Sequence, residues 1–134
     1  MNIIEGKHYK KIDHPKFKYE LIKECYYIDP KIEKHKCFHR YFKIINGCIT
    51  ANVGYRWDGC SGPTTDDDTN MRGSLFHDIW YQSISEGLIT RSWRTRRQGD
   101  KFFLRILKED GMPWFRRTAY FYSVRGVGGL FAYF

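Results

Sequence analysis

The sequence contains no apolar run approaching the ~20 residues that cross a bilayer, and its opening stretch, Met1 to Lys11, lacks the apolar core of an export signal. Synthesis in a cytoplasm is therefore expected. No CxxC pair is present: the four cysteines, Cys25, Cys37, Cys48 and Cys60, stand singly, and we read them as thiols rather than as a disulfide framework. There is no proline-rich or serine-rich tract, which argues against an internal linker or a disordered arm. No internal repeat is visible. One domain spanning residues 1–134 is expected.

What is present suffices for a packed core, with 42% hydrophobic and 18% aromatic residues. Charge is lopsided. Lys and Arg number 23 against 15 Asp and Glu, a net charge of +8 and a pI near 9.4, so an acidic partner is expected. Anionic phospholipid, nucleic acid and an acidic protein would all be attracted, and charge alone does not choose among them. One basic group, Lys7, Lys10, Lys11, Lys16 and Lys18, lies near the start, where the first eleven residues read as a dispensable, solvated segment. A second, Arg91, Arg94, Arg96 and Arg97, falls on a predicted helix.

The order of patterns predicts an α+β fold in which short antiparallel strands pack on a C-terminal helical hairpin plus a third helix. Residues 1–55 read mainly as strands, with alternation from Phe17 to Tyr55 and a hairpin signal at Asn46-Gly47. Residues 56–69 read as a Gly/Asp-rich loop, in which Asp66 to Asp68 offer helix N-caps. Residues 70–134 read mainly as helices. The first runs from about Asn70 to Ser85 and ends at Gly87; the second runs from about Arg91 to Lys108, turns Trp93, Phe103, Leu104, Ile106 and Leu107 mostly inward, and ends at Gly111. The third begins near Pro113 and is broken by Gly126, Gly128 and Gly129.

A short turn near Leu88 makes the first two helices antiparallel. His77 precedes that turn by eleven residues and Asp100 follows it by twelve, so at ~1.5 Å per residue the two stand at matching heights on facing helices. Asp100 shares a stripe with Trp93, Phe103, Leu104 and Leu107, where an ionised carboxylate needs a partner. A His held by an Asp is the arrangement that fixes an imidazole tautomer and leaves the other nitrogen as a general base; the same pair can equally be a buried pin for the hairpin. Asp78 points ~100° away from His77 around the helix. With the loop acid Asp58 and backbone carbonyls at Gly59 and Ser61 it forms an oxygen-donor set of the kind calcium takes. A weaker metal pattern is His35, Cys37 and His39, alternating on a predicted strand.

Three segments, Trp57-Asp58-Gly59-Cys60-Ser61-Gly62-Pro63, Ser74-Leu75-Phe76-His77-Asp78-Ile79-Trp80-Tyr81 and Arg97-Gln98-Gly99-Asp100-Lys101-Phe102-Phe103, resemble the active-site segments of secreted phospholipases A2. The same order of motifs, with Tyr120-Phe121-Tyr122-Ser123-Val124-Arg125-Gly126, is similar to a family of small uncharacterised bacteriophage proteins and covers more of the chain. The first resemblance implies a lipid ester hydrolase. In it His77 activates water, Asp100 orients His77, and Asp78, Asp58 and Gly59 bind calcium, which stabilises the oxyanion. The chain departs from that family in having no cysteine on either helix. The second resemblance implies synthesis in a host cytoplasm and leaves open a non-enzymatic role among virion proteins, with the same residues as a structural polar cluster. A nucleic-acid-binding module using the Arg91–Arg97 face is a further alternative, although no zinc-finger or helix-turn-helix spacing is present.

Overall fold

The computed structural model describes residues 2–59 and 66–133, without the side chains of 123, 124 and 126–133. Among these described residues seven strands come first: β1 (Tyr9–Lys11), β2 (Tyr19–Leu21), β3 (Cys25–Ile28), β4 (Cys37–Phe38), β5 (Phe42–Ile45), β6 (Cys48–Ala51) and β7 (Arg56–Trp57), with a 3-10 turn at Pro30–Ile32. Three helices follow, α1 (Met71–Ser85), α2 (Trp93–Glu109) and α3 (Trp114–Tyr133). The strands form two antiparallel sheets, ordered β1-β2-β7 and β3-β6-β5-β4, so the fold is α+β as the sequence pattern predicts.

The β5–β6 hairpin closes as its dipeptide requires. Asn46 and Gly47 both take positive φ, 52° and 75°, between the paired Ile45 and Cys48, the signature of a type I′ turn. Gly47 is needed for a second reason, because a Cβ there would lie 2.8 Å from the carbonyl oxygen of Asp29. Asp29 N donates to Gly47 O at 2.7 Å. Its carboxylate accepts from Lys31 N at 3.0 Å and from the Arg105 guanidinium of α2. One buried aspartate thus joins the hairpin turn, the 3-10 turn and the second helix.

Alternation sends Tyr27, Phe42, Ile44, Ile49 and Ala51 to the buried face. Helix α1 touches β6 as well as α2 and α3. Being covered on several sides, it buries Met71, Leu75, Phe76, Ile79, Trp80 and Ile84. Both helices of the hairpin end in the same way: Gly87 and Gly111 take positive φ, Gly87 N and Leu88 N donate to Ile84 O and Ser83 O, and Gly111 N and Met112 N donate to Lys108 O and Leu107 O. These are paired Schellman closures.

Five local expectations are corrected. Strand structure begins at β1 and reaches Trp57, inside the segment read as loop, because Tyr9, Tyr19 and Trp57 pack together across β1-β2-β7 with centroids 5.4–5.9 Å apart, Tyr9 meeting the other two edge to face. The first eleven residues are not a detached arm, since Ile3 and Tyr9 are buried. The N-cap position of α1 is Asn70 rather than any of Asp66 to Asp68, and its side chain makes no capping bond but accepts from Asp67 N at 3.1 Å, while Asp67 accepts from Thr69 N and Thr69 Oγ1. Trp93 is 55% exposed, drawn outward by stacking with Arg97 and Arg125. Helix α3 continues through Gly126, Gly128 and Gly129, since a glycine costs a helix only about 1 kcal/mol and does not by itself end it.

The closest approach in the hairpin lies between Trp80 and Gly99. The indole Nε1 donates to Thr95 O at 2.8 Å, and a methyl group at Gly99 would overlap the indole ring. Gly99→Ala is therefore expected to cost about 1–3 kcal/mol by overpacking, measured by urea denaturation. Removal of residues 1–11 is expected to lower the melting temperature, through loss of β1 and of the Ile3 and Tyr9 burial, in a thermal melt followed by circular dichroism.

Candidate functional site

Asp100 is fully buried on α2 and receives three hydrogen bonds. His77 Nε2 lies 2.8 Å from Oδ1, Tyr81 OH donates to the same oxygen at 2.7 Å, and Arg125 Nη1 donates to Oδ2 at 2.9 Å. His77 and Tyr81 are one turn apart on α1, so both reach across the same gap, while Arg125 enters from α3. Burial pushes the Asp100 carboxyl up, but the bonds from His77, Tyr81 and Arg125 outweigh it and hold the group below the usual carboxylate range. Asp100 is consequently an acceptor at neutral pH, which places a proton on His77 Nε2 and leaves Nδ1 with the lone pair when the ring is neutral.

The His77 ring is wedged between Tyr81 and Phe103, with centroids 4.4 and 4.7 Å away. Its side chain keeps 11% of its surface exposed. Among the described residues Nδ1 has no hydrogen-bond partner. The geometry is that of a base whose one nitrogen is anchored and whose other is available. Tyr81, half-buried beside an anion, has its phenol pushed up by desolvation first and by Asp100 second, so it stays a donor.

Asp78 stands elsewhere on α1. It is half-buried, and among the described residues it has neither a hydrogen bond nor an ion pair. Burial first, and then repulsion from Asp58 and Asp66, push its carboxyl well above the usual range. The same negative field reaches Tyr55, whose phenol is raised by burial, then by Asp78, Glu86 and Asp58. Asp58 is exposed, and Gly59 is buried with φ +80° in close contact with the Asp66 carboxylate. Asp66 in turn accepts from Tyr19 OH at 2.7 Å. Among the described residues no three His, Cys, Asp or Glu side chains are close enough to hold a metal ion by themselves. The expected Ser61 carbonyl and the Cys60 thiol lie outside the described residues.

Tyr81 and Arg125 are participants the sequence reading gave no role, and Asp66 is one it read only as a helix-cap candidate. The i, i+4 spacing of His77 and Tyr81 is a usable signal for the first. Nothing local announces Arg125, because its height on α3 is set by tertiary packing. The other metal pattern disperses. His35 Nε2 pairs with Gln98 Oε1 at 2.9 Å, the buried Cys37 thiol faces Ser83 Oγ at 3.9 Å, and His39 Nε2 faces Glu86 at 3.7 Å. Only Cys37 belongs to a strand, so the assumed alternation across residues 35–39 does not hold. Cys25, Cys37 and Cys48 are free thiols. Arg91, Arg94 and Arg97 are exposed, whereas Arg96 turns to the backbone oxygen of Arg125 at 3.4 Å. Among the described residues no helix is long and apolar enough to cross a membrane.

Comparison with protein families, with curated proteins and with solved structures finds no match.

Two predictions follow from opposite shifts. The Asp100 carboxyl is lowered on folding, so it stabilises the protein above the ordinary carboxylate range and that contribution is lost as pH falls through its folded value. Asp100→Ala strands His77, Tyr81 and Arg125, and is expected to cost about 3–5 kcal/mol at pH 7 by chemical denaturation. The Asp78 carboxyl is raised, so its ionisation works against the folded state as pH rises above the ordinary range. Without divalent cations, Asp78→Asn is expected to raise the melting temperature at pH 8, with the gain shrinking towards about pH 4; a loss at both pH values would show that the ionised group is stabilised by a partner.

Proposed function

We propose that this protein is a phospholipase A2-like, calcium-dependent lipid ester hydrolase of bacteriophage origin, with His77 as general base oriented by Asp100. The observation that carries the reading is the anchored imidazole: Asp100 holds Nε2 at 2.8 Å while Nδ1 is left unbonded among the described residues. In this reading water bound at Nδ1 gives up its proton to the ring as its oxygen attacks the ester carbonyl, and the imidazolium then returns that proton to the leaving alkoxide. Asp100 keeps its charge throughout. It fixes the tautomer and stabilises the transient imidazolium, and Tyr81 and Arg125 keep Asp100 ionised.

The half-buried Asp78 carboxylate, without a partner among the described residues and repelled by Asp58 and Asp66, suits a hard cation that would neutralise it. Asp78, Asp58 and the Gly59 carbonyl would hold calcium there, with further oxygens from backbone and water. When bound, calcium supplies a Lewis acid for the oxyanion that develops on the ester. The net charge of +8 favours approach to an anionic phospholipid surface.

One observation favours a second reading, in which the protein is a non-enzymatic virion or assembly component contacting other phage proteins. Asp100 is saturated by donors from two other helices, as in a buried polar network that serves as architecture.

Hydrolysis of mixed-micelle phospholipid separates the two. The wild type is expected to need calcium, and His77→Asn to lose about 10²–10⁴-fold in kcat with an unchanged circular dichroism spectrum. Millimolar calcium is expected to raise the melting temperature more than magnesium does, and Asp78→Asn to abolish that response. No hydrolysis together with a melting temperature indifferent to calcium would leave the architectural reading standing.

A further inference from the structure

At the turn end of the hairpin, away from His77, the structure has an open pocket of about 700 Å³, within the usual range for small-ligand sites. It is built from two pieces of chain, residues 34–36 after the 3-10 turn and residues 84–91 at the α1–α2 junction. Its rim is cationic: Lys34, Lys36 and Arg91 are exposed around it, and His35 forms part of the wall. The acid on the rim, Glu86, is already occupied, accepting from Gln82 Nε2 at 2.6 Å and facing His39 Nε2 at 3.7 Å. Ile84 and Ile89, buried, and half-buried Leu88 give it an apolar side.

Three of the basic side chains are held before any ligand arrives. Arg91 Nη2 donates to Ser85 O at 3.3 Å, which positions the guanidinium over the end of α1 and leaves its other N–H groups available. Lys36 Nζ lies over the Phe38 ring, 5.8 Å from its centre. His35 packs edge-on against Trp80 and is bonded to Gln98. Gln98 Nε2 donates to Lys31 O at 3.3 Å, so its Oε1 is the end that faces His35 and must accept from Nε2–H. Tethered cations lose less freedom on capturing an anion than free ones do.

We propose that this pocket is a binding site for a phosphate group, with Lys34, Lys36 and Arg91 as its ligands and the Ile84–Leu88–Ile89 side receiving the apolar part of the molecule that carries it. A soluble phosphate ester and a phospholipid headgroup share this chemistry. The site is separate from the His77–Asp100 pair, so the proposal stands or falls independently of any hydrolase activity.

The test is a titration of the ¹⁵N-labelled full chain, first with inorganic phosphate and glycerol 3-phosphate, then with phosphatidylcholine vesicles with and without phosphatidylglycerol. Lys36→Glu, Arg91→Glu and the exposed-site control Lys18→Glu are titrated alongside. Saturable shifts confined to residues 34–36 and 84–91, weakened about tenfold or more by either pocket variant but not by Lys18→Glu, are the expected result. Shifts from the soluble phosphates would mark a small-molecule site; the same residues responding only to phosphatidylglycerol vesicles would mark a headgroup site. No saturable response from any of the probes, or an affinity that Lys18→Glu lowers as much as the pocket variants do, overturns the proposal. The pocket variants change exposed side chains, and an unchanged melting temperature confirms that lost binding is not lost folding.

Discussion

The structure turns on a single carboxylate. Asp100 is removed from water on α2 and kept ionised by donors from α1 and α3, so one anion ties all three helices at one level. A buried charge of this kind is tolerated only when its lone pairs are satisfied, and losing any donor leaves the rest exposed to an uncompensated field. Much of the nearby packing follows from bringing α1 and α2 close enough for the contact. Gly99, next in sequence, lets the Trp80 indole lie against the α2 backbone, and Gly73 admits Phe103 and Leu107. The His77 imidazole and the Tyr81 phenol share Oδ1, and among the described residues the other ring nitrogen of His77 has no hydrogen-bond partner.

Asp78 is the counterpart with the opposite sign. It is adjacent to His77 in sequence, yet it shares none of Asp100's bonds and sits in the repulsion of two other carboxylates. Two aspartates on one hairpin are therefore pushed in opposite directions, one held as an anion by donors and one, with no donor among the described residues, biased towards neutrality. Groups separated in this way are the ones to which distinct tasks can be assigned.

Legibility in the sequence followed the range of the determining interactions. The His77–Asp100 pairing could be placed because helix rise is regular and the turn at Gly87-Leu88 is local. The Asn46-Gly47 hairpin was equally plain, since positive φ at both positions is chemistry of the dipeptide itself. Arg125 was not legible, because its approach to Asp100 depends on the path of α3 across the hairpin. The strand assumed through His35, Cys37 and His39 failed for a related reason: β4 is only two residues long, and its neighbours answer to Gln98 and Glu86 instead of to a pleat. The burial of Tyr9 was hidden by Lys7, Lys10 and Lys11 around it, which mask an inward-facing position in a short edge strand.

The four tryptophans divide into two optical populations. Trp57 and Trp80 are sealed in the core, while Trp93 and Trp114 stand in solvent. The buried pair emits from an apolar environment and reports the integrity of the whole fold. Trp93 reports something narrower, since its ring stacks with Arg125, whose guanidinium also binds Asp100. Any event that draws Arg125 away from the carboxylate must change the surroundings of that indole, so the protein carries a native fluorescent gauge one residue removed from its buried anion.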